Sequence, residues 1–175
     1  MKKLLFISTV LWLTASCKDE VTEPATMVKS EKIDYAYTIK HDVDNWDKGS
    51  QENVALVLNC LKAFETGNIE ECMKYFADSV TWKMDYIDSK MSKDSLKAML
   101  QGYRASLSSL SVEMNDWESV ISKDKKNEWV GLWYKEVWTD KDGKTDSAII
   151  MDDVKVENGK IVELDEKTRK FAAKK

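Results

Sequence analysis

From Ser50 onward the apolar positions fall at helical spacing. Val54, Val57, Leu58, Leu61 and Phe64 form one stripe, which predicts an amphipathic helix with that face buried. Ser50 is its N-cap and Glu52 lies in the first turn, where negative charge suits the helix dipole. Gly67 ends it, because glycine enters the left-handed conformation without a Cβ clash. Asn68 then caps a second helix, with Glu71 at the capping-box position and Ile69, Cys72, Met73 and Phe76 as the buried face. Asp78-Ser79 breaks that helix, and Val80-Thr81-Trp82 begins a strand that runs into a loop ending near Met91.

A third helix is capped by Ser92, with Met91 and Leu96 as a hydrophobic staple. Leu96, Met99, Leu100, Tyr103 and Leu107 form its stripe. Past Val112 the period changes to strands and hairpins. Residues 112–122 form a strand with a bulge near Asn115-Asp116, and Trp129 to Thr139 runs back beside it. The Asp140-Lys141-Asp142-Gly143 turn, with Gly143 left-handed, predicts a register. Trp138 faces Asp146, Glu136 faces Ala148, Tyr134 faces Ile150 and Leu132 faces Asp152. One face then carries Val130, Leu132, Tyr134, Trp138, Ala148, Ile150, Val154 and Val156. A one-residue slip would replace part of this set with Ser147 and Asp153. Glu136 and Asp152 are the two acids on that apolar face. A last turn at Glu157-Asn158-Gly159 leads to Ile161–Asp165, whose facing differs between a two-residue and a three-residue loop.

Three segments carry a resemblance. Ala63-Phe64-Glu65-Thr66-Gly67-Asn68, Phe76-Ala77-Asp78-Ser79-Val80-Thr81-Trp82 and the closing Val156 to Glu166 resemble the NTF2-like superfamily, in its SnoaL-like branch. The resemblance spans Ser50 to Phe171. It implies an α+β fold in which three N-terminal helices pack on a curved antiparallel sheet, forming a cone with a ligand pocket. Cys60, Met84, Tyr103, Leu132, Tyr134, Trp138 and Ile150 are the expected pocket residues. The same fold hosts enzymes and binding modules alike, so chemistry has to come from the site. In the ketosteroid isomerases of this family an Asp base sits where this chain has Met84, and a tyrosine near Cys60. Only their strand acid has a counterpart, Asp152, and strand alternation would turn Asp85 away from Met84.

The N-terminus adds a location. Lys2-Lys3 and the apolar run Leu4 to Leu13 resemble a signal peptide over 1–16, too short to span a bilayer as a stable helix. Leu13-Thr14-Ala15-Ser16-Cys17 resembles a bacterial lipobox, with Thr14 where such motifs usually carry Leu. Cys17 is then the lipidation site, with acyl chains such as palmitate as the membrane contact. Lys18-Asp19-Glu20 resembles a surface-export signal and equally fits a solvated tether. The expectation is an outer-membrane lipoprotein of a bacterial cell envelope, with a flexible tether over 17–32, an extension over 33–49 and the folded domain over 50–171. Ile33, Tyr35, Tyr37 and Ile39 alternate as a short strand would.

Charge and the remaining reactive residues narrow the partners. The net charge of −4 becomes −6 once the two leader lysines are removed, so a nucleic-acid partner is excluded. Cys60 and Cys72 are placed either to bridge across the Gly67 turn or to stay buried thiols. His41, the single histidine, is a solvated loop residue rather than a ligand. Asp140, Asp142 and Asp146 lack the spacing of a calcium loop, so no metal and no cofactor is expected. Two functions fit these residues. One is a lipid-anchored module that binds a small apolar ligand or a partner protein without catalysis. The other is a SnoaL-like enzyme of isomerase, cyclase or hydratase type using Glu136 and Asp152. A homodimer through the sheet is compatible with either.

Overall fold

The computed structural model describes residues 35–37 and 46–171. The expected leader, Cys17, the tether and His41 lie outside the described residues. Tyr35 and Tyr37 are exposed and take no strand conformation. The chain divides into two units, Met1–Thr38 and Ile39–Lys175, and among the described residues the helices and the sheet belong to the second.

A short strand β1 (Trp46–Lys48) precedes helix α1 (Gln51–Glu65), the one-turn helix α2 (Ile69–Cys72) and a 3-10 turn (Met73–Tyr75). The hairpin β2 (Phe76–Met84) and β3 (Ile87–Ser92) follows, then helix α3 (Lys93–Ser106). Four long strands complete the domain: β4 (Leu107–Ser122), β5 (Glu128–Asp140), β6 (Thr145–Glu157) and β7 (Lys160–Lys170). All seven strands form one sheet in the order β1-β4-β5-β6-β7-β2-β3. The sheet is mixed, because β2 lies parallel to β7 while every other pair is antiparallel. The wholly antiparallel sheet expected from the sequence is corrected at that one seam. A strand near the start and the last strand meet there with the long meander between them.

Local chemistry sets the helix ends. The Ser50 hydroxyl accepts from the Asn53 amide, and the Ser92 hydroxyl from the Ser95 amide, each at 3.2 Å. At the α1 C-terminus the Asn68 amide donates to Ala63 O and the Gly67 amide to Phe64 O, with Gly67 at φ +81°. This is a Schellman closure. It uses the Asn68 N–H, so Glu71 does not complete the expected capping box and pairs with Lys74 instead. The Asn68 side chain still accepts from the Glu71 amide. Ahead of α1, Gly49 donates its amide to Ser119 O, and a Cβ there would fall 2.1 Å from the Ser119 hydroxyl. Only glycine permits that approach.

Several expected elements shift. The second helix stops at Cys72 and Phe76 already begins β2, because Phe76 pairs with Ile161 of β7. The loop before Ser92 is instead strand β3, and Leu107 opens β4 rather than closing α3. The α1 face sealed against the sheet is Val54, Val57, Cys60 and Ala63, with Leu58, Leu61 and Phe64 half-buried around it. Small side chains at 60 and 63 let the helix lie close, and the larger ones then splay to its flanks. The β4 bulge falls between Met114 and Asp116, as expected.

The predicted β5–β6 register is observed at all four pairs. The final turn is a two-residue loop, Glu157 facing Lys160, with Asn158 and Gly159 both at positive φ. That turn twists with the strands it joins. A bulge then leaves Val162 unpaired between Ile161 and Glu163. The extra residue changes the phase of β7, so Ile161, Leu164, Glu166 and Thr168 all share one face.

Leu96 on α3 is fully buried, whereas Leu61 on α1 borders a cavity between the helices and the sheet. Leu96→Ala is expected to cost about 2–5 kcal/mol. Leu61→Ala, which loses fewer packed neighbours, is expected to cost about 1–2 kcal/mol. Urea midpoints of the two variants check the ranking, and a more damaging Leu61 change would contradict it.

Candidate functional site

The concave face of the sheet and the helices α1 and α3 enclose a cavity of about 420 Å³. Its walls are mainly apolar. All seven residues expected in a pocket line it: Cys60, Met84, Tyr103, Leu132, Tyr134, Trp138 and Ile150. Phe64 and Tyr103 stack at its edge, with ring centroids 6.1 Å apart and planes within 7°. Cys60 and Cys72 are free thiols with sulfur atoms 3.5 Å apart, buried in the same wall.

Acids stand out against this lining. The sheet register places Leu132, Asp152 and Glu166 in one row across β5, β6 and β7, with Tyr134, Ile150 and Thr168 in the next and Glu136, Ala148 and Lys170 in the third. Asp152 and Glu136 reach the cavity as the hairpin register requires. Glu166 is a third acid that sequence reasoning missed. Its signal was the Asn158-Gly159 pair, which selects the two-residue turn, but the Val162 bulge that sets its facing left no mark in the apolar pattern. Asp85 also lines the cavity. It does so because β2 ends at Met84, and a turn residue is free of the strand alternation that would have turned it away.

Each sheet acid has one hydroxyl donor. Tyr134 Oη donates to Asp152 Oδ2 at 2.9 Å, Tyr103 Oη to Glu136 Oε1 at 3.3 Å, and Thr168 Oγ1 to Glu166 Oε1 at 3.0 Å. Asp152 Oδ1 is buried with no partner, and so is the Trp82 indole N–H. Both residues line the cavity.

Burial dominates the electrostatics, since a carboxylate in apolar surroundings loses its hydration. Glu136 is raised to about 7 by burial and then by the Glu166 charge, against the opposing bond from Tyr103. Asp152 is raised well above the usual carboxylate range by burial and by Glu166, with the Tyr134 bond opposing. Burial also raises Glu166, its bond from Thr168 opposing and the charge of Asp85 adding to the rise. Tyr134 and Tyr103 are pushed upward by burial first and by the neighbouring acids, so both stay protonated donors. The site therefore holds neutral phenol donors beside buried acids shifted toward the protonated form, of which Glu136 changes charge near neutrality.

The ketosteroid isomerase arrangement is absent. Met84 and Cys60, which the sequence resemblance sets at its base and tyrosine positions, cannot act as a carboxylate base or donate as a phenol does. Among the described residues no group of three or more His, Cys, Asp or Glu side chains is placed to hold a metal ion.

Known structures share this architecture at low sequence similarity. An LEH-like epoxide hydrolase of M. tuberculosis aligns with a TM-score of 0.56 and 11% identity, covering 69% of this chain and 84% of its own. AusH from Aspergillus nidulans aligns with a TM-score of 0.57 and 15% identity, covering 70% and 87%. An NTF2-like protein of unknown function from Burkholderia pseudomallei gives 0.57 and 13%, covering 69% and 92%. No protein-family model matches the chain, and no curated protein sequence matches it. The chain has the NTF2-like fold.

Two substitutions test the buried acids. An acid whose folded pKa is raised keeps its proton where the unfolded chain has lost it. Its stability cost is therefore absent below the unfolded pKa and grows as pH rises toward the folded value. For Glu136 that window runs from its ordinary 4.5 to about 7. Glu136→Gln is expected to flatten the fall in stability across it, by on the order of 2 kcal/mol at pH 7. Asp152→Asn, which keeps an acceptor for Tyr134, is expected to raise the melting temperature at neutral pH. That gain should vanish near pH 3 to 4, measured as roughly equal melting there. Equal or lower melting at pH 7 would show that the acids are not desolvated.

Proposed function

We propose that this NTF2-like chain is a lipid-anchored cell-envelope protein whose cone takes up a small, largely apolar ligand. The observation that carries the ligand reading is the cavity itself, with Asp152 Oδ1 buried in its wall and lacking a partner. A buried polar atom left unpaired is costly, and a ligand hydrogen bond would satisfy it. The volume of about 420 Å³ fits the roughly 300–1,000 Å³ of small-molecule sites. Leu132, Ile150 and Trp138 supply contact area, and Asp152, Trp82 and Glu136 supply orientation. The anchor rests on the Cys17 motif and the run of polar residues after it.

A second reading is favoured by one observation. Glu136, half-ionised near pH 7, shares the cavity with Asp152, whose carboxyl burial holds well above the usual carboxylate range. A proton acceptor and a proton donor facing one ligand is what isomerase, cyclase or hydratase chemistry requires. In that reading Glu136 removes a proton and Asp152 returns one to a neighbouring ligand atom.

Binding is tested with the neutral fluorophore N-phenyl-1-naphthylamine. Micromolar affinity is expected for the parent chain, and a loss of at least about ten-fold for Ile150→Trp, which fills the cavity. Circular dichroism confirms that the variant is folded, and unchanged affinity in a folded variant would place binding elsewhere. For the anchor, Cys17→Ser is expected to lose palmitate labelling and membrane fractionation. Retention of both would overturn it.

A further inference from the structure

We infer that the ligand of the cone is an organic cation, an apolar body bearing a protonated amine, with Asp152 and Glu166 as its counter-charges. This deepens the ligand-binding reading and rests on it. Four acids line the cavity: Asp85, Glu136, Asp152 and Glu166. Against them stands one lysine, Lys170, at the exposed end of β7, and no ion pair joins it to any of the four among the described residues. The other titratable groups in the walls are the thiols of Cys60 and Cys72 and the phenols of Tyr86, Tyr103 and Tyr134. None of these carries positive charge in any protonation state.

The arrangement of the acids is what a cation would compensate. Asp152 and Glu166 are direct cross-strand partners on β6 and β7. Opposed side chains in an antiparallel pair lie about 4.5–5.5 Å apart at Cβ, and like charges so placed repel. Asp152 is 5% exposed, and its Oδ1 has no donor. Burial raises both carboxyls toward the protonated form, and a ligand ammonium placed between them would favour the charged form and release protons to solvent. Among the described residues no three His, Cys, Asp or Glu side chains are placed to hold a metal ion. An organic cation needs only two acids and a large apolar surround. The faces of Tyr134, Trp138 and the stacked Phe64–Tyr103 pair supply that surround, and aromatic faces attract cations. A carboxylate or phosphate ligand would meet acids with no cation to offset them.

Three probes of equal chain length separate charge from apolar burial: octylamine, octanol and octanoate. Each is titrated at pH 7.5 against the full chain carrying N-phenyl-1-naphthylamine. Octylamine is expected to displace the fluorophore at a concentration at least about ten-fold lower than octanol, with octanoate weakest. In Asp152→Asn/Glu166→Gln the preference for amine over alcohol should fall to about one. Octanol equal to octylamine, octanoate the tightest, or a preference that survives in the double variant would overturn the cation and leave the apolar-ligand reading standing. Failure of octylamine to compete would also overturn the cation, and failure of N-phenyl-1-naphthylamine itself to bind would overturn both.

Discussion

The β5–β6 register decides which half of the sheet is interior, and everything at the site depends on it. The turn is closed by Asp140 and Lys144 backbone bonds, with Gly143 at φ +84°. Asp140 Oδ1 accepts from the amides of Asp142 and Lys144, which holds the turn in one conformation. From there the period of two carries Trp138, Glu136, Tyr134 and Leu132 to the concave side, facing Asp146, Ala148, Ile150 and Asp152. A slip by one residue would exchange these for Lys135, Trp133, Met151 and Asp153. Neither the cavity nor its acids would survive. The apolar partners enforce the register, and the acids are carried inside with them.

That coupling explains how the domain tolerates buried carboxylates. Val130, Leu132, Ala148, Ile150, Val154 and Val156 are sealed on the same face. Their burial outweighs the desolvation of Glu136 and Asp152, each of which also keeps a phenolic donor. An apolar residue at 152 would pack without that cost. A cost kept at a cavity wall is a common mark of a site selected for something other than stability.

Much of this was legible in the chain. The Ser50 and Ser92 caps, the Gly67 stop, the Asn115 bulge and the Asp140–Gly143 turn each depend on a few neighbouring residues. Their chemistry is local. Leu132, Tyr134, Trp138 and Ile150 followed from the register of one hairpin, whereas Cys60, Met84 and Tyr103 lie on other elements. What escaped depends on distant partners. Ile87–Ser92 has little strand character and is a strand because β2 lies alongside it. Ala63 faces inward because the sheet favours small residues under α1, which a hydrophobicity pattern reads as gaps. Glu166 was hidden behind one unpaired residue, Val162, whose position only the pairing with β6 defines.

The parallel seam between β2 and β7 has a consequence for the order in which the fold closes. The β2–β3 hairpin meets the rest of the sheet only through β7, the last of the described strands. Until β7 is in place, Trp82 and Met84 have no sheet to close against, and the cone has no far wall. Helix α1 can already pack on β4 and β5, but the hairpin must wait for a strand more than seventy residues further on. Such non-local closure is slow compared with local pairing and leaves intermediates open to association. The cone therefore closes last, in contrast to a meander that buries each strand as it pairs.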